Sequence, residues 1–514
     1  MNNTATQNTK KPPYGIIAIL MAGAFVAILN STLLNIALPS INKDFDIDAS
    51  VGQWLVTGYM LVNGIMIPTT AFLIQRYSIR RLFITAMSLF TIGTLVAGFS
   101  GSFPVLLAAR MVQASGSAIM MPVLMNFLLT SFPVEKRGSA MGVFGLVMIF
   151  APAIGPTLSG YIVEHFHWHV LFRVIAPIAI LVLVLAIVKL KDKKDKVDIS
   201  IDTLSVILST LGFGGLLYGF STAGNKGWDS PYVYGTLIIG FLSLVLFIVR
   251  QLKIPNPMLE FRIFKYPLFA LSAAISIVVN IAMFSAMLLM PMYIQTVRGI
   301  SPLDSGLLLL PGAIIMGIMS PITGKLFDKY GARILAVTGL AITAVTTYMF
   351  SKLTMDTSYT TLIIIYSFRM FGMSMVMMPV MTNGLNQVPG RLNPHGTAMN
   401  NTLQQVSGAI GSALMITIMS NRTTTHANEL AEDAMKSMAN STVQPDAATL
   451  AAAKEQLAMK AMMEGINDAF LISVGVVVLA LILSFFMKRA TPAEDIQSNP
   501  NKVQQKTSAK LAEN

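Results

Sequence analysis

Apolar stretches long enough to cross a lipid bilayer recur along almost the whole chain, divided by short turns that carry most of its charge. A helix of about twenty residues spans about 30 Å of hydrocarbon, and there the backbone can satisfy its own hydrogen bonds only as a helix or a closed barrel. Charged residues make up 12% of the 514, against about 25% in a soluble domain. No water-soluble core needs so much apolar sequence, which predicts an all-α polytopic membrane protein. Fourteen spans are predicted, at 14–38, 51–74, 82–101, 104–128, 139–163, 168–189, 203–222, 231–252, 267–292, 303–327, 333–352, 359–385, 396–420 and 467–488. The first is too long for a signal-peptide core and has no small-residue cleavage site, so it reads as a retained helix.

Charge sets the expected orientation. Of the 36 Lys and Arg, 25 fall on the side of the N-terminus, 8 on the other side and 3 within spans. The positive-inside rule therefore puts both termini in the cytoplasm. A net charge of +12 spread over membrane loops implies no nucleic-acid partner. The absence of cysteine excludes disulfides, thiolate chemistry and Cys-ligated metal.

The chain also repeats itself. Residues 64–82 read GIMIPTTAFLIQRYSIRRL and 317–335 read GIMSPITGKLFDKYGARIL, at a constant offset of 253. Arg110-Met111 and Arg369-Met370 each precede Met-Met-Pro-Val, and Gly138-Ser-Ala-Met echoes Gly396-Thr-Ala-Met. Internal repeats of hydrophobic hairpins are the mark of two-fold transporters. The offset leaves room for one extra hairpin between two six-helix units. The expected organisation is an N-terminal tail 1–13, a bundle 14–189, an inserted hairpin with linkers 190–266, and a pseudo-symmetric bundle 267–488. That second bundle includes an outer segment 421–466, read as short surface helices, and a disordered tail 489–514 follows.

Several residues invite a mechanism. The turn G-K-L-F-D-K-Y-G-A-R at 324–333 carries Gly324, Asp328, Lys329, Gly331 and Arg333. It reads as a gating latch, with Asp328 at the dipole-positive start of the following helix and Lys329 or Arg333 as its partner. Its first copy keeps Arg76 and Arg80 but has Gln75 for Asp, so the two latches are expected to be unequal. Gly145, Gly155, Pro156 and Gly160 in the fifth span suggest a kink and close packing. Arg110 and Arg369, charged within spans, are expected to face a cavity or a partner. Gln113, the amides Asn30 and Asn35 in the first span, and Asn401, Gln404 and Gln405 in the thirteenth complete the predicted cavity lining. The methionines of the twelfth span suit a pliable apolar pocket, and most of them read as core or lipid-facing. His165, His167 and His169 around Trp168 read as interfacial, and no metal site is predicted.

Taken together, L-N-S-T-L-L-N-I-A-L-P at 29–39, Q-W-L-V-T-G-Y-M-L at 53–61, R-M-V-Q at 110–113, the Gly/Pro fifth span and the charged turn resemble the 14-helix drug/proton antiporters of the major facilitator superfamily. Helix 1 and A-F-L-I-Q-R-Y look most like the branch with lincosamide-resistance pumps of Gram-positive bacteria. The resemblance implies the major facilitator fold in a bacterial plasma membrane. It also implies proton-driven export of small amphipathic drugs or metabolites, working as a monomer and with no cofactor beyond the proton-motive force. Many members carry Asp in helix 1 where this chain has Asn30, which cannot titrate. Asp304 and Glu164 are then the proton-carrier candidates. The chain lacks a phosphate loop and any catalytic constellation, so no enzyme is expected. The rival reading is a dedicated proton-driven exporter of one endogenous metabolite, either uncharged or an anion drawn in by Arg110 and Arg369.

Overall fold

The computed structural model describes residues 13–47, 49–52, 54–191, 202–439 and 447–490. The C-terminal tail beyond 490 and its expected disorder lie outside these residues. Fourteen described helices are long and apolar enough to cross a membrane. The first seven are α1 Tyr14–Asp44, α2 Trp54–Arg76, α3 Ile79–Gly98, α4 Phe103–Ser131, α5 Arg137–His165, α6 His169–Lys189 and α7 Thr203–Lys226. The second seven are α8 Pro231–Lys253, α9 Pro267–Met292, α10 Pro302–Tyr330, α11 Ala332–Phe350, α12 Tyr359–Gln387, α13 Asn393–Ala439 and α14 Ala447–Phe485.

The starts of these helices follow local chemistry. Ser78, Ser301 and Ser358 each accept a backbone N–H in the first turn of α3, α10 and α12, which satisfies donors the helix cannot. Proline opens α8 and α9, where its missing N–H costs nothing. Gly331 ends α10 at φ 80°, a left-handed angle that side chains resist. Its N–H returns to Phe327 O at 2.8 Å, so the chain turns directly into α11. Helix α12 is interrupted between Ser374 and Met377.

Helices α1–α6 form one bundle, with α1 packed on α4, α5 and α6, and α4 on α2 and α3. Helices α9–α14 form the other, with α9 on α13 and α14, and α10 and α11 on α12. The bundles meet chiefly where α5 lies along α10 and where α2 lies along α13. Helix α7 of the inserted hairpin packs on both α2 and α13, so the insertion sits against the seam and not apart from it.

The hairpin is clamped at its end near the termini. Arg250 donates Nε to Asp202 Oδ2 at 2.6 Å and Nη2 to Oδ1 at 2.9 Å. Those bonds hold the Asp202 carboxyl at about 2, well below its ordinary range. A depressed carboxyl stabilises the fold above its unfolded value, about 4, and loses that contribution as pH falls through the folded one. Thermal unfolding measured down the pH scale should therefore show a loss between about pH 4 and pH 2 that Asp202→Asn abolishes. The pair is partly solvated, with side chains 36% and 26% exposed, so the effect is modest.

One expectation fails on the face opposite the termini. The described residues of 421–466 are not a set of short surface helices. Helix α13 runs 47 residues without a break and α14 runs 39, each longer than the ~30 Å a bilayer requires. The extensions pack on each other, with Asp468 Oδ2 receiving Arg422 Nε and lying 2.9 Å from His426 Nε2. The Ala-rich sequence favours continuing a helix over starting new ones.

Candidate functional site

A close backbone crossing lies between α5 and α10, at the end that carries the termini. A Cβ added to Gly324 would meet Gly138 O at 2.4 Å, and one on Gly142 would meet Ser320 O at 2.6 Å. Small residues on both helices let the backbones approach. That approach brings Asp328, in the last turn of α10, onto the N-terminus of α5. Gly138 N and Ser139 N donate to its two carboxylate oxygens at 2.9 Å each, and Ser139 Oγ donates at 2.6 Å. An anion at the positive end of a helix dipole is favoured, and charge-assisted bonds are the strong kind.

The predicted physics was right and the helix was wrong. Asp328 caps α5 of the other bundle, not the following α11. Nor do its basic neighbours pair with it among the described residues. Lys329 Nζ lies 5.0 Å over the Tyr330 ring, Arg333 is exposed, and Arg489 donates to the Asp328 carbonyl at 2.8 Å.

The repeat position shows the same device without charge. Gln75 Nε2 contacts His395 Nε2, in the first turn of α13. His395 Nδ1 accepts Glu260 N at 3.2 Å. Arg76 lies over the Phe72 and Tyr77 rings, and Arg80 donates to Ile187 O. One seam thus carries a carboxylate on a helix N-terminus, and the other a neutral amide–imidazole contact.

Above these contacts the bundles leave a cavity of about 90 Å³. The walls come from α4, α5, α9, α10, α12 and α13. Met125, Met148, Met283, Met316, Met377, Met378, Met381 and Phe144 supply the apolar surface. Ser276, Asn280, Ser320, Ser374, Asn400, Asn401 and Gln404 supply polar points. Asn280 Nδ2 bonds Ser276 O at 2.7 Å while its buried Oδ1 has no partner, leaving an acceptor available. Among the described residues, no charged side chain lines the cavity.

Of the predicted lining, Asn401 and Gln404 are present and most of the rest is elsewhere. Asn35 lies outside the residues whose side chains are described. Gln405 is half-buried but outside the lining. Arg110 is 1% exposed and turned into the first bundle, where Nη1 donates to Gln113 Oε1 at 2.9 Å and the guanidinium covers the Tyr59 ring at 4.1 Å. Gln113 passes the network on to Thr94 Oγ1 at 2.7 Å and accepts Asn30 Nδ2 at 3.3 Å. Arg369 is fully buried in the second bundle, bonded to Ala282 O at 3.0 Å and near Thr347 Oγ1. These residues are therefore internal struts. A buried cation must be paired; Arg110 finds its acceptor one turn along α4, and Arg369 finds one on α9.

Gln113→Leu should expose that role. It leaves Arg110 and Asn30 without their shared acceptor, at a cost of about 2–4 kcal/mol. A fall in unfolding temperature in detergent, larger than for Gln405→Leu, is the expected reading.

Two further expectations shift. Gly145 and Gly155 are close-contact points, facing Ser320 Oγ and Thr32 Oγ1 at 2.2 Å from an added Cβ. Gly160 has nothing within 4 Å of such a Cβ, so close packing is not its purpose, and the Pro156 side chain lies outside the described residues. Asp304 is an exposed capping residue bonded to Ser301 Oγ, and Glu164 is exposed near the end of α5. Neither lines the cavity. The residues sequence reasoning missed are Gly138, Ser139, Gly142 and the cavity methionines outside the twelfth span. Only the Gly138 echo of Gly396 pointed at any of them.

Two six-helix bundles closing on a central cavity define a membrane transporter. The sequence model of the Major Facilitator Superfamily matches residues 20–412, and the chain belongs to that family. It is 48% identical over 503 residues to the uncharacterised MFS-type transporter YhcA of Bacillus subtilis, covering 94% of each chain. It is 42% identical over 487 residues to the lincomycin resistance protein LmrB of the same organism, covering 94% of this chain and 97% of the other. The human organic anion transporter MFSD10 (TETRAN) shares the fold, with a TM-score of 0.64 at 11% identity over 92% of this chain and 100% of that one. These relatives are transporters, not enzymes, and the chain is a multi-pass protein of a lipid bilayer that handles small molecules.

Proposed function

We propose that the protein is a secondary active multidrug exporter of a bacterial plasma membrane, with both termini cytoplasmic, exchanging amphipathic compounds for protons by alternating access. The cavity carries this reading. It is walled by methionines that repack around different shapes, and no charged side chain among the described residues lines it to select one sign. Amides and hydroxyls offer a few hydrogen bonds without fixing one ligand. The Asp328 clamp supplies a contact that can be made in one access state and released in the other.

Proton coupling enters from the resemblance to drug/proton antiporters and from likeness to LmrB, named for lincomycin resistance. No cofactor is required, since one proton crossing 100 mV supplies about 2.3 kcal/mol. The rival reading is a dedicated exporter of one metabolite; its anionic form drew on Arg110 and Arg369, and both are turned into the bundles.

Proteoliposomes loaded with a pH dye test the proposal. Several unrelated lipophilic compounds, lincomycin among them, should each move protons and compete with one another. Response to a single compound would replace it with a dedicated exporter. Silence across the panel, with binding retained, would remove the proton from the scheme.

A further inference from the structure

At the face opposite the termini, the end of α1 meets the turn between α5 and α6. There Asp44, His167 and His169 each bring one donor atom within 4.8 Å of the other two. The sequence shows only the alternating His165, His167 and His169, because the carboxylate comes from a residue more than a hundred positions away.

The surroundings orient these groups as a ligand set. His169 Nε2 lies 2.8 Å from Ser100 O, and a carbonyl can only accept, so that nitrogen carries the hydrogen. Its Nδ1 is therefore a bare lone pair, and it points at His167 Nδ1 at 2.7 Å. Trp168 Nε1 donates to Asp44 Oδ2 at 3.0 Å, which leaves Oδ1 free to turn to the cluster, 3.4 Å from His167 Nε2. Metal-binding histidines are usually held in this way, by a second nitrogen bonded to a carbonyl. Trp168 also stacks on His169, ring centroids 3.6 Å apart, and limits its rotation. His167 and Asp44 side chains are 53% and 38% exposed, so an ion reaches the cluster directly from solvent.

We infer that Asp44, His167 and His169 form a surface site for a divalent transition-metal ion of the Zn²⁺ class, with water as the fourth ligand. Two imidazoles and one carboxylate are the donor set such ions accept, and Mg²⁺ or Ca²⁺ would want oxygens throughout. At about 2.0–2.1 Å from each donor, a tetrahedral ion holds its ligands about 3.3 Å apart. Seating it opens the two Nδ1 atoms by about half an ångström, a shift within reach of exposed side chains. All three residues belong to the first bundle. The ion therefore ties α1 to the α5–α6 turn, stiffening that bundle's rim without bridging the two bundles.

This site is independent of the transport reading, and its test needs no substrate. The purified chain, in detergent and stripped with a chelator, would be titrated with Zn²⁺ by calorimetry. One ion per chain is expected at micromolar concentration, with a rise in unfolding temperature that saturates with binding. His167→Ala, His169→Ala and Asp44→Asn should each weaken binding at least about tenfold. His165→Ala and His426→Ala should leave it unchanged. Unfolding temperatures of the metal-free variants separate lost ligands from lost folding, and Asp44→Asn keeps an oxygen for the Trp168 bond. A second readout uses Trp168, one of 3 tryptophans. In a Trp54→Phe/Trp228→Phe background, Cu²⁺ should quench its fluorescence, and His169→Ala should abolish the quenching. Absence of a one-to-one isotherm, or binding that survives both Asp44→Asn and His167→Ala, would overturn the assignment.

Discussion

Replacing Asp328 with alanine or asparagine should release the bundles at their terminal end and cut transport by more than tenfold. Three bonds join this carboxylate to the α5 N-terminus, two from backbone N–H groups at 2.9 Å and one from Ser139 Oγ at 2.6 Å. Alanine removes all of them, and asparagine removes the charge and one acceptor. Bonds to a charged group are worth about 1.5–3 kcal/mol net. A loss of roughly 2–3 kcal/mol moves a two-state equilibrium by about 30- to 150-fold. The chain has no cysteine, so one introduced by Met378→Cys reports on the cavity alone. In Asp328→Asn it should react much faster with an impermeant maleimide offered from the side of the termini. Asp328→Glu, with charge retained, should lie between. The latch assignment would not survive if Asp328→Asn labelled and transported like the parent.

The second large effect belongs to Gly324. An alanine there puts a carbon 2.4 Å from Gly138 O and 3.2 Å from Gly142 Cα. These are backbone atoms of the facing helix, which cannot rotate away as a side chain can. Overpacking of this kind costs about 1–3 kcal/mol, and here it acts on the contact that closes the bundles. Gly324→Ala should thus lose most transport while the separate bundles stay folded, and Gly324→Val should lose all of it. Gly160→Ala is the comparison that gives the prediction its edge. Gly160 belongs to the motif that drew attention in the sequence, yet nothing lies within 4 Å of its added Cβ. It should transport normally. Equal damage from the two alanines would mean that the α5–α10 crossing is not where closure is decided.

Legibility differed between features for reasons that can be named. The helices were readable because span length and hydropathy are local, and lipid leaves the backbone no other choice. The turn at 324–333 was readable because its charges stand out against apolar flanks. Its partner was not, since nothing in the turn says that Asp328 will meet Gly138 in the other bundle. The intramembrane arginines were visible as unusual, and of the two expectations, a cavity or a partner, packing supplied partners. Residues 421–466 misled because a polar stretch after an apolar span resembles a loop, whereas the helix simply continues into water.

Fourteen crossings, a two-fold internal repeat and unequal basic turns were therefore determined by the sequence alone. Tertiary structure decided which face of each helix looks inward. In a soluble protein the polar stripe of a helix marks its outer side. In a membrane, lipid and a drug-binding cavity are both apolar, so the methionines of α12 carry no label for core, lipid or cavity. Only the packed bundles sort Met377, Met378 and Met381 into the cavity wall and Met370 and Met373 into the core. The same packing delivers Asp328 to α5 and Asp44 to His169.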